Sequence, residues 1–302
     1  MNTATQNLVD AFKKKEIRAL TKLISLAENE DPESLLALEA LSSSAKSRVV
    51  GITGPPGAGK SSLVSSFVES LRAQGKKVAV LAVDPTSPLT GGAVLGDRIR
   101  LTAHFNDPDV FIRSVSTRGR LGGISLATPQ SIALVESFGF DYLFVESVGV
   151  GQNEHEISRW TDLTMLILTP DSGDGIQAIK AGVLEVADLI VVNKNEEGRG
   201  EGMFRELEAT FRENGKRMPV LCLSTEKDPQ SRKQIVAALE AWFTANQKVR
   251  DDRRIAFPKR LCHALIVNHL AEVASSWTDK KNFTASSPFA LFREFKNGIK
   301  LP

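Results

Sequence analysis

The chain has 302 residues, 42% of them apolar and 25% charged, and a formal net charge of +2. That length and apolar share suit one large α/β domain with helical additions, or two domains, and the near-neutral balance gives no electrostatic reason for a nucleic-acid partner. Two cysteines, Cys222 and Cys262, make neither a CxxC nor a disulfide framework; no apolar run reaches membrane-spanning length and the first twenty residues lack a signal-peptide core, so a cytoplasmic protein with no membrane partner is expected.

Residues 1–46 read as an N-terminal helical arm. Leu8, Phe12, Ile17, Leu20, Leu23, Ile24 and Leu26 recur at helical spacing, and the Lys13-Lys14-Lys15 run reads as a solvated face. Asp31-Pro32-Glu33 starts a second helix, with Leu35, Leu36, Leu38 and Leu41 as its apolar side. Ser42–Ser47 is a polar joint.

The next stretch, Gly54-Pro55-Pro56-Gly57-Ala58-Gly59-Lys60-Ser61, spells GxxxxGK[ST] in full. Glycines admit backbone angles and close approaches that a Cβ blocks, so consecutive N–H groups can turn inward around phosphate oxygens at the start of a helix. Lys60 then reaches the β/γ-phosphates and the Ser61 hydroxyl takes Mg²⁺, with Ser62 continuing the cradle. The motif has this meaning only between a strand and a helix. The apolar run Arg48–Thr53 precedes it, helical periodicity follows from Ser62 to Gln74, and Gly75 is a stop signal. A glycine-rich turn with no ligand is the alternative.

From residue 46 to about 227, apolar runs alternate with helical segments: VVGIT, VAVLAVD (78–84), DYLFVES (141–147), LTMLILT (163–169), DLIVVNK (188–194) and VLCLS (220–224). They are apolar on both faces, as parallel strands covered on both sides are. The fold class that follows is α/β: a doubly wound, mostly parallel P-loop NTPase sheet with ligand at the carboxyl ends of its strands. The expected domains are the arm at 1–46, the nucleotide domain at 47–228 and a C-terminal helical extension at 229–302.

Several runs end in residues suited to phosphate chemistry. Asp84 closes the second run and Glu146 the third; each carboxylate can hold Mg²⁺ directly or through water, or simply cap a strand. Gly149 can offer its N–H to a γ-phosphate. Asp97, in GGAVLGDR (91–98), is open between a metal or water contact and a helix cap. Arg113, Arg118 and Arg120 flank the cationic STRGRLGG (116–123), where solvent is the simplest partner of each. Thr169–Lys180 is a polar, glycine-rich loop turning helical. Asn193-Lys194-Asn195-Glu196 resembles the NKxD base-reading element of GTPases, with glutamate for aspartate; the carboxylate would accept the two guanine donors that adenine lacks. Leu223-Ser224-Thr225 stands where a last base-contacting loop is placed.

Beyond Asp228 the pattern is helical again. Ile235, Val236, Leu239, Trp242 and Phe243 make one apolar face. Leu261, Leu265, Ile266, Leu270 and Val273 make another, on a helix from near Arg250 to before Trp277; such faces pack on the core or dimerise. His104, His155, His263 and His269 are scattered, with no metal-ligand spacing and no triad signature.

The order GPPGAGKS, VDPTSPLTGGAVLGDR, STRGRLGG, DYLFVESVGVGQNE, GDGIQAIKAGVLEVAD, NKNE strongly resembles the MeaB/ArgK family of P-loop GTPases, which includes the human MMAA protein and belongs to the SIMIBI class. The likeness is close over residues 46–196. It implies a slow GTPase, binding GTP/GDP and Mg²⁺, that acts as chaperone to an adenosylcobalamin-dependent mutase such as methylmalonyl-CoA mutase, and a homodimer formed through C-terminal helices. Position by position it matches Lys60 and Ser61 to phosphate and Mg²⁺, Asp84 and Glu146 to the metal shell, Asp97 to a switch acid, and Gln177 and Lys180 to a switch that answers to the mutase. Gly175 stands where the family usually has an acid. The competing readings are a SIMIBI metal-insertion GTPase, which would carry a histidine-rich arm or a CxxC-like site, and a phosphotransferase or ATPase associated with amino-acid transport.

Overall fold

Among the described residues the six Val-, Ile- and Leu-rich runs and one further strand form one seven-stranded parallel sheet: β1 (Arg48–Thr53), β2 (Val78–Asp84), β3 (Val110–Ser116), β4 (Tyr142–Glu146), β5 (Leu163–Leu168), β6 (Leu189–Val192) and β7 (Val220–Cys222). The order across the sheet is β3-β2-β4-β1-β5-β6-β7, and every neighbouring pair is parallel. The structure is a computed structural model; it describes residues 1–41, 47–84, 104, 106–116, 125–147, 154–170, 183–213, 218–224, 228–281 and 287–298. Among these the helices are α1 (Thr3–Lys13), α2 (Ile17–Glu28), α3 (Glu33–Leu41), α4 (Lys60–Arg72), α5 (Ala127–Phe138), α6 (Glu154–Ser158), α7 (Val183–Val186), α8 (Glu201–Glu213), α9 (Pro229–Ala245), α10 (Gln247–Thr278) and α11 (Pro288–Gly298).

Both faces of the sheet are covered, which is why its strands lack polar alternation. One core joins Val50, Ile52, Val80, Phe144, Met165 and Val191 to Phe67 of α4 and to Ile235, Leu239 and Trp242 of α9. Phe67 stacks on Phe144 with ring centroids 4.9 Å apart. Another joins Leu166, Leu168, Ile190 and Val192 to Leu207 and Phe211 of α8. Each such fully buried side chain contributes about 1.5–3 kcal/mol of apolar transfer. The α9 face is the one its sequence spacing specifies, and Asp228 caps that helix by accepting from the N–H groups of Gln230 and Ser231 at 2.9 and 3.1 Å.

The chain divides into two compact units, Met1–Ile255 and Ala256–Pro302. The boundary expected at 228 falls inside the first unit, because α9 shares the sheet's core. In the second unit, Trp277 and Phe295 approach to 5.2 Å between centroids and Lys281 pairs with Glu294 at 2.5 Å.

The arm departs from its sequence pattern in two ways. Its first stretch is two helices, broken where Lys15 takes a left-handed φ of 63°. Lys13, Lys14 and Lys15 are exposed, as a solvated face should be, and the Lys15 ammonium also donates to the Phe138 carbonyl at the end of α5, where the helix dipole favours a cation. In α3, Ala37 and Leu41 are buried while Leu35 and Leu36 are exposed, so the inward stripe is rotated from the leucine run. The sheet also holds a strand the apolar runs do not announce. β3 forms its edge, and Arg113, expected in solvent, sits on that strand and pairs with Glu28 of α2 at 2.5 Å.

At the opposite end of the strands, the first turns of α10 are clamped by arginines. Arg253 grips Asp188, just before β6, through both oxygens at 2.6 and 2.9 Å. Arg254 meets Asp162, just before β5, at 2.5 Å, the Ser47 carbonyl before β1 at 2.6 Å, and the buried Glu136 of α5. Burial pushes the Glu136 carboxyl above its ordinary range, and the Arg254 charge opposes that shift. Arg250 adds a bond to the Ser47 carbonyl at 3.1 Å.

Candidate functional site

The carboxyl end of β1 runs into residues 54–59 and then α4, at the centre of the sheet where β1 lies between β4 and β5. Local sequence forces the path. An added Cβ on Gly54 would lie 2.1 Å from the Ile167 carbonyl oxygen, so only glycine lets the loop pass β5 this closely. Gly59, in left-handed conformation, is the N-cap residue of α4 and supplies no side-chain cap. The first N–H groups of a helix have no intrahelical acceptor, and with the helix dipole they form an anion-binding end.

Lys60 folds back over this loop. It is buried, and its Nζ donates to the carbonyls of Gly54 and Pro55 at 2.8 and 3.1 Å, which fixes the ammonium above the loop. The Ser61 hydroxyl donates to Glu146 Oε1 at 2.8 Å. Glu146 pairs in register with Ile52 of β1 on one side and Ala82 of β2 on the other, two residues short of Asp84. Asp84 and Glu146 are 2% and 5% exposed, so both acids close their strands inside the protein. Ser147 Oγ donates to Thr53 Oγ1 at 2.9 Å and ties the ends of β4 and β1 together.

The chain after β6 builds a second part. Asn193 donates from Nδ2 to the Ala58 carbonyl at 3.0 Å, linking this loop to the one before α4. Lys194 takes a left-handed φ of 59°. Asn195 Oδ1 accepts from the Gly200 N–H at 2.7 Å, and its own N–H donates to the Leu223 carbonyl at 3.1 Å. Glu196 Oε1 accepts from the Ser224 hydroxyl at 3.0 Å, and Arg199 lies 3.8 Å from its other oxygen. The structure thus brings Glu196 and Ser224, 28 residues apart in sequence, into contact.

Of the residues singled out from sequence, Ser61 meets Glu146 next to Lys60, Asp84 closes β2 two positions beyond the partner of Glu146, and Asn193 ties the loop that carries Glu196 to Ala58. Ser62 lies exposed on α4. Asp97, Gly149, Gln177, Lys180 and Thr225 lie outside the described residues. Sequence reasoning missed the Thr53–Ser147 tie and the Asn193–Ala58 bridge; a hydroxyl immediately after Glu146 and an amide at the end of the β6 run were the available signals. The donor set of a serine hydroxyl and two carboxylates is all oxygen and fits a hard divalent cation such as Mg²⁺. Among the described residues no group of three His, Cys, Asp or Glu side chains is placed to hold a metal ion by itself, and no helix is long and apolar enough to cross a membrane. Cys222 and Cys262 are free thiols.

A parallel α/β sheet with a GxxxxGK[ST] loop between β1 and α4 defines a P-loop NTPase. Residues 20–276 match the family described as methylmalonyl Co-A mutase-associated GTPase MeaB, and the chain belongs to that family. A Pyrococcus horikoshii relative that carries a GTPase name is 49% identical over 188 residues, 62% of this chain and 59% of its own. The mouse methylmalonic aciduria type A homolog is 44% identical over 147 residues, 49% of this chain and 35% of its own. These matches thus span about a third to three-fifths of each relative's length. The crystal structure of an LAO/AO transport system kinase superposes with a TM-score of 0.67 at 26% identity, covering 98% of both chains.

Proposed function

We propose that this chain binds and hydrolyses GTP with Mg²⁺ and uses the bound nucleotide to gate cofactor loading and protection of an adenosylcobalamin-dependent acyl-CoA mutase such as methylmalonyl-CoA mutase. The observation that carries the nucleotide reading is the contact of Ser61 with Glu146 beside Lys60, at the carboxyl ends of the strands, where the Glu196–Ser224 pair also lies. The mutase reading draws on the family's description and the mouse relative's name.

In this reading Lys60 and the first N–H groups of α4 hold the β- and γ-phosphates. Ser61 binds Mg²⁺, with Glu146 and Asp84 acting directly or through its water shell. Bound Mg²⁺ supplies neutralisation of the charge that develops on the transferring phosphoryl group. Lys60, fixed by the Gly54 and Pro55 carbonyls, adds preorganised positive charge at the same place. Segments 54–61, 84 and 146–147 contain no histidine to activate water, which suits slow turnover stimulated by a partner. Glu196, oriented by Ser224, accepts the two guanine donors, with Lys194 and Thr225 beside the base. Gly149 reports the γ-phosphate, Asp97 acts as switch acid, and Gln177 and Lys180 answer to the mutase.

The same proposal includes a homodimer. Ile266, Val267, Leu270 and Val273 on α10 are 53%, 50%, 37% and 41% exposed, an apolar stripe suited to a second copy.

The test measures phosphate release from GTP and from ATP, with and without a purified adenosylcobalamin-dependent mutase. GTP preference and a rate raised by the mutase are expected. No binding to the mutase with no change in rate sinks the chaperone reading, and ATP outcompeting GTP sinks the guanine reading. Lys60→Ala should abolish turnover; unchanged turnover removes the basis of the account. The full-length likeness to a transport system kinase favours a second reading, phosphotransfer. Label from γ-phosphate appearing on a protein or small acceptor, in place of free phosphate, would select it.

A further inference from the structure

The C-terminal end of α2 breaks a local rule. Its last residue is Glu28, and its last turn holds no basic residue. A carboxylate there opposes the helix dipole, so a tertiary partner has to offset it. That partner is Arg113 of β3, whose Nη2 reaches Ser25 Oγ at 3.0 Å and Glu28 Oε2 at 2.5 Å. An ion pair alone needs one oxygen of Glu28. The other, Oε1, accepts from the Ser116 N–H at 3.3 Å. The Ser116 carbonyl accepts from Ser125 Oγ at 2.9 Å, just before α5. The backbone of Ser116 is therefore held from the arm and from the α5 leader.

Ser116 is the last residue of β3 and stands opposite Asp84 in the β2–β3 ladder. Among the described residues β3 is the sheet's edge, with no further strand beyond it. The ladder with β2 holds one side of its end and these contacts hold the other, and Asp84 closes the strand beside it.

We propose that Glu28 is a positioning residue for the nucleotide site: by holding the end of β3 it sets Asp84, so that docking of the N-terminal arm and Mg²⁺-dependent nucleotide binding are coupled. This rests on the reading of Asp84 as a carboxylate of the Mg²⁺ shell. Coupling of this kind is reciprocal: whatever loosens the arm weakens Mg²⁺-dependent binding, and bound nucleotide with Mg²⁺ tightens the arm.

The experiment is calorimetric binding of GDP to the full chain across a Mg²⁺ titration. Glu28→Ala should raise the Mg²⁺ concentration for half-maximal GDP binding about five-fold or more, a typical coupling size, with GDP binding in EDTA unchanged. In an Asp84→Asn background the same substitution should have no further effect. Glu28→Gln, which keeps an oxygen for Ser116, should restore most of the Mg²⁺ response although its melting point falls with the lost Arg113 pair. Ser125→Ala loosens Ser116 from its other side, should shift the Mg²⁺ response in the same direction, and serves if Glu28→Ala does not fold. Melting points that fall in the Glu28 variants with no change in the Mg²⁺ requirement overturn the coupling alone. A wild type whose GDP binding ignores Mg²⁺, or an Asp84→Asn variant that leaves the Mg²⁺ dependence intact, overturns the metal-shell reading and the coupling with it.

Discussion

Two glycines of this chain make a matched pair for testing the phosphate loop. Gly57 and Gly75 have left-handed φ values of 76° and 74°, and a Cβ added to either meets nothing within 4 Å. Replacing each by alanine therefore carries the same local cost, about 1–2 kcal/mol for a Cβ in left-handed conformation. About 0.4–1 kcal/mol of that is returned by the stiffer unfolded chain. Both melting points should fall together by only a few degrees. The two positions differ in what the open space is for. Gly75 follows α4 in a turn where its N–H donates to the Arg72 carbonyl at 2.9 Å. Gly57 lies in the loop ahead of Lys60, and the space above it is where a phosphate would approach the backbone. Gly57→Ala should weaken GDP binding by about 10- to 100-fold, or about 1.4–3 kcal/mol, and Gly75→Ala should leave it unchanged. Thermal melts and calorimetric titration with GDP read both quantities. Equal affinities in the two variants, or equal losses, refute the assignment of this loop to phosphate.

Other consequences follow from contacts elsewhere. Glu196→Ala should cut the preference for GTP over ATP by at least about 10-fold, and Ser224→Ala by less, since it removes one hydrogen bond to a charged group; competition binding measures both. Arg254→Ala takes the paired cation from Glu136, 4% exposed, and leaves Asp162, 3% exposed, only the more distant Arg250 at 3.6 Å, and should cost about 3–5 kcal/mol in denaturant unfolding. Arg205→Ala, removing a pair with both members exposed (77% and 58%), should cost under about 1 kcal/mol. The Arg72 guanidinium, and after it the Asp109 N–H, hold the Asp107 carboxyl below its usual 3.8. Its folded value is depressed, so its stabilisation is present above about pH 4 and disappears as the pH falls through that lower value. The stability gap between wild type and Asp107→Asn should therefore be constant from pH 7 to 5 and close under more acid conditions.

The strands that carry the site were readable because burial on both faces leaves long apolar runs, and the carboxyl-end rule then pointed to Asp84, Glu146 and Asn193. β3 escaped because an edge strand needs less apolar surface: Val110–Ser116 carries Arg113, Ser114 and Ser116 among its apolar residues. Its arginine looked like a surface charge because its partner lies 85 residues earlier, in the arm. The break at Lys15 was hidden by a helical pattern that continues on both sides of it. The leucines of α3 misled because spacing shows that a face exists without showing which way it turns; Ala37 faces in and Leu36 does not. The contact of Glu196 with Ser224 was legible only as two motifs, and the fold supplied the 3.0 Å between them.

The arginine clamp on α10 bears on how the chain is made. Arg254 follows Asp162 by 92 residues and Glu136 by 118. At ribosomal speeds of about 5–20 residues per second, roughly 6–24 s pass between synthesis of Glu136 and of its cation. Through that interval a growing chain already long enough to form β1, β2, β4 and β5 has acids at their amino ends with no countercharge from α10. Sealing that end of the sheet early would bury unpaired carboxylates, so solvent has to keep access to it until residues 250–254 arrive. A nascent chain arrested before Gln247 should accordingly be open to protease near Asp162 and close once translation has passed Arg254.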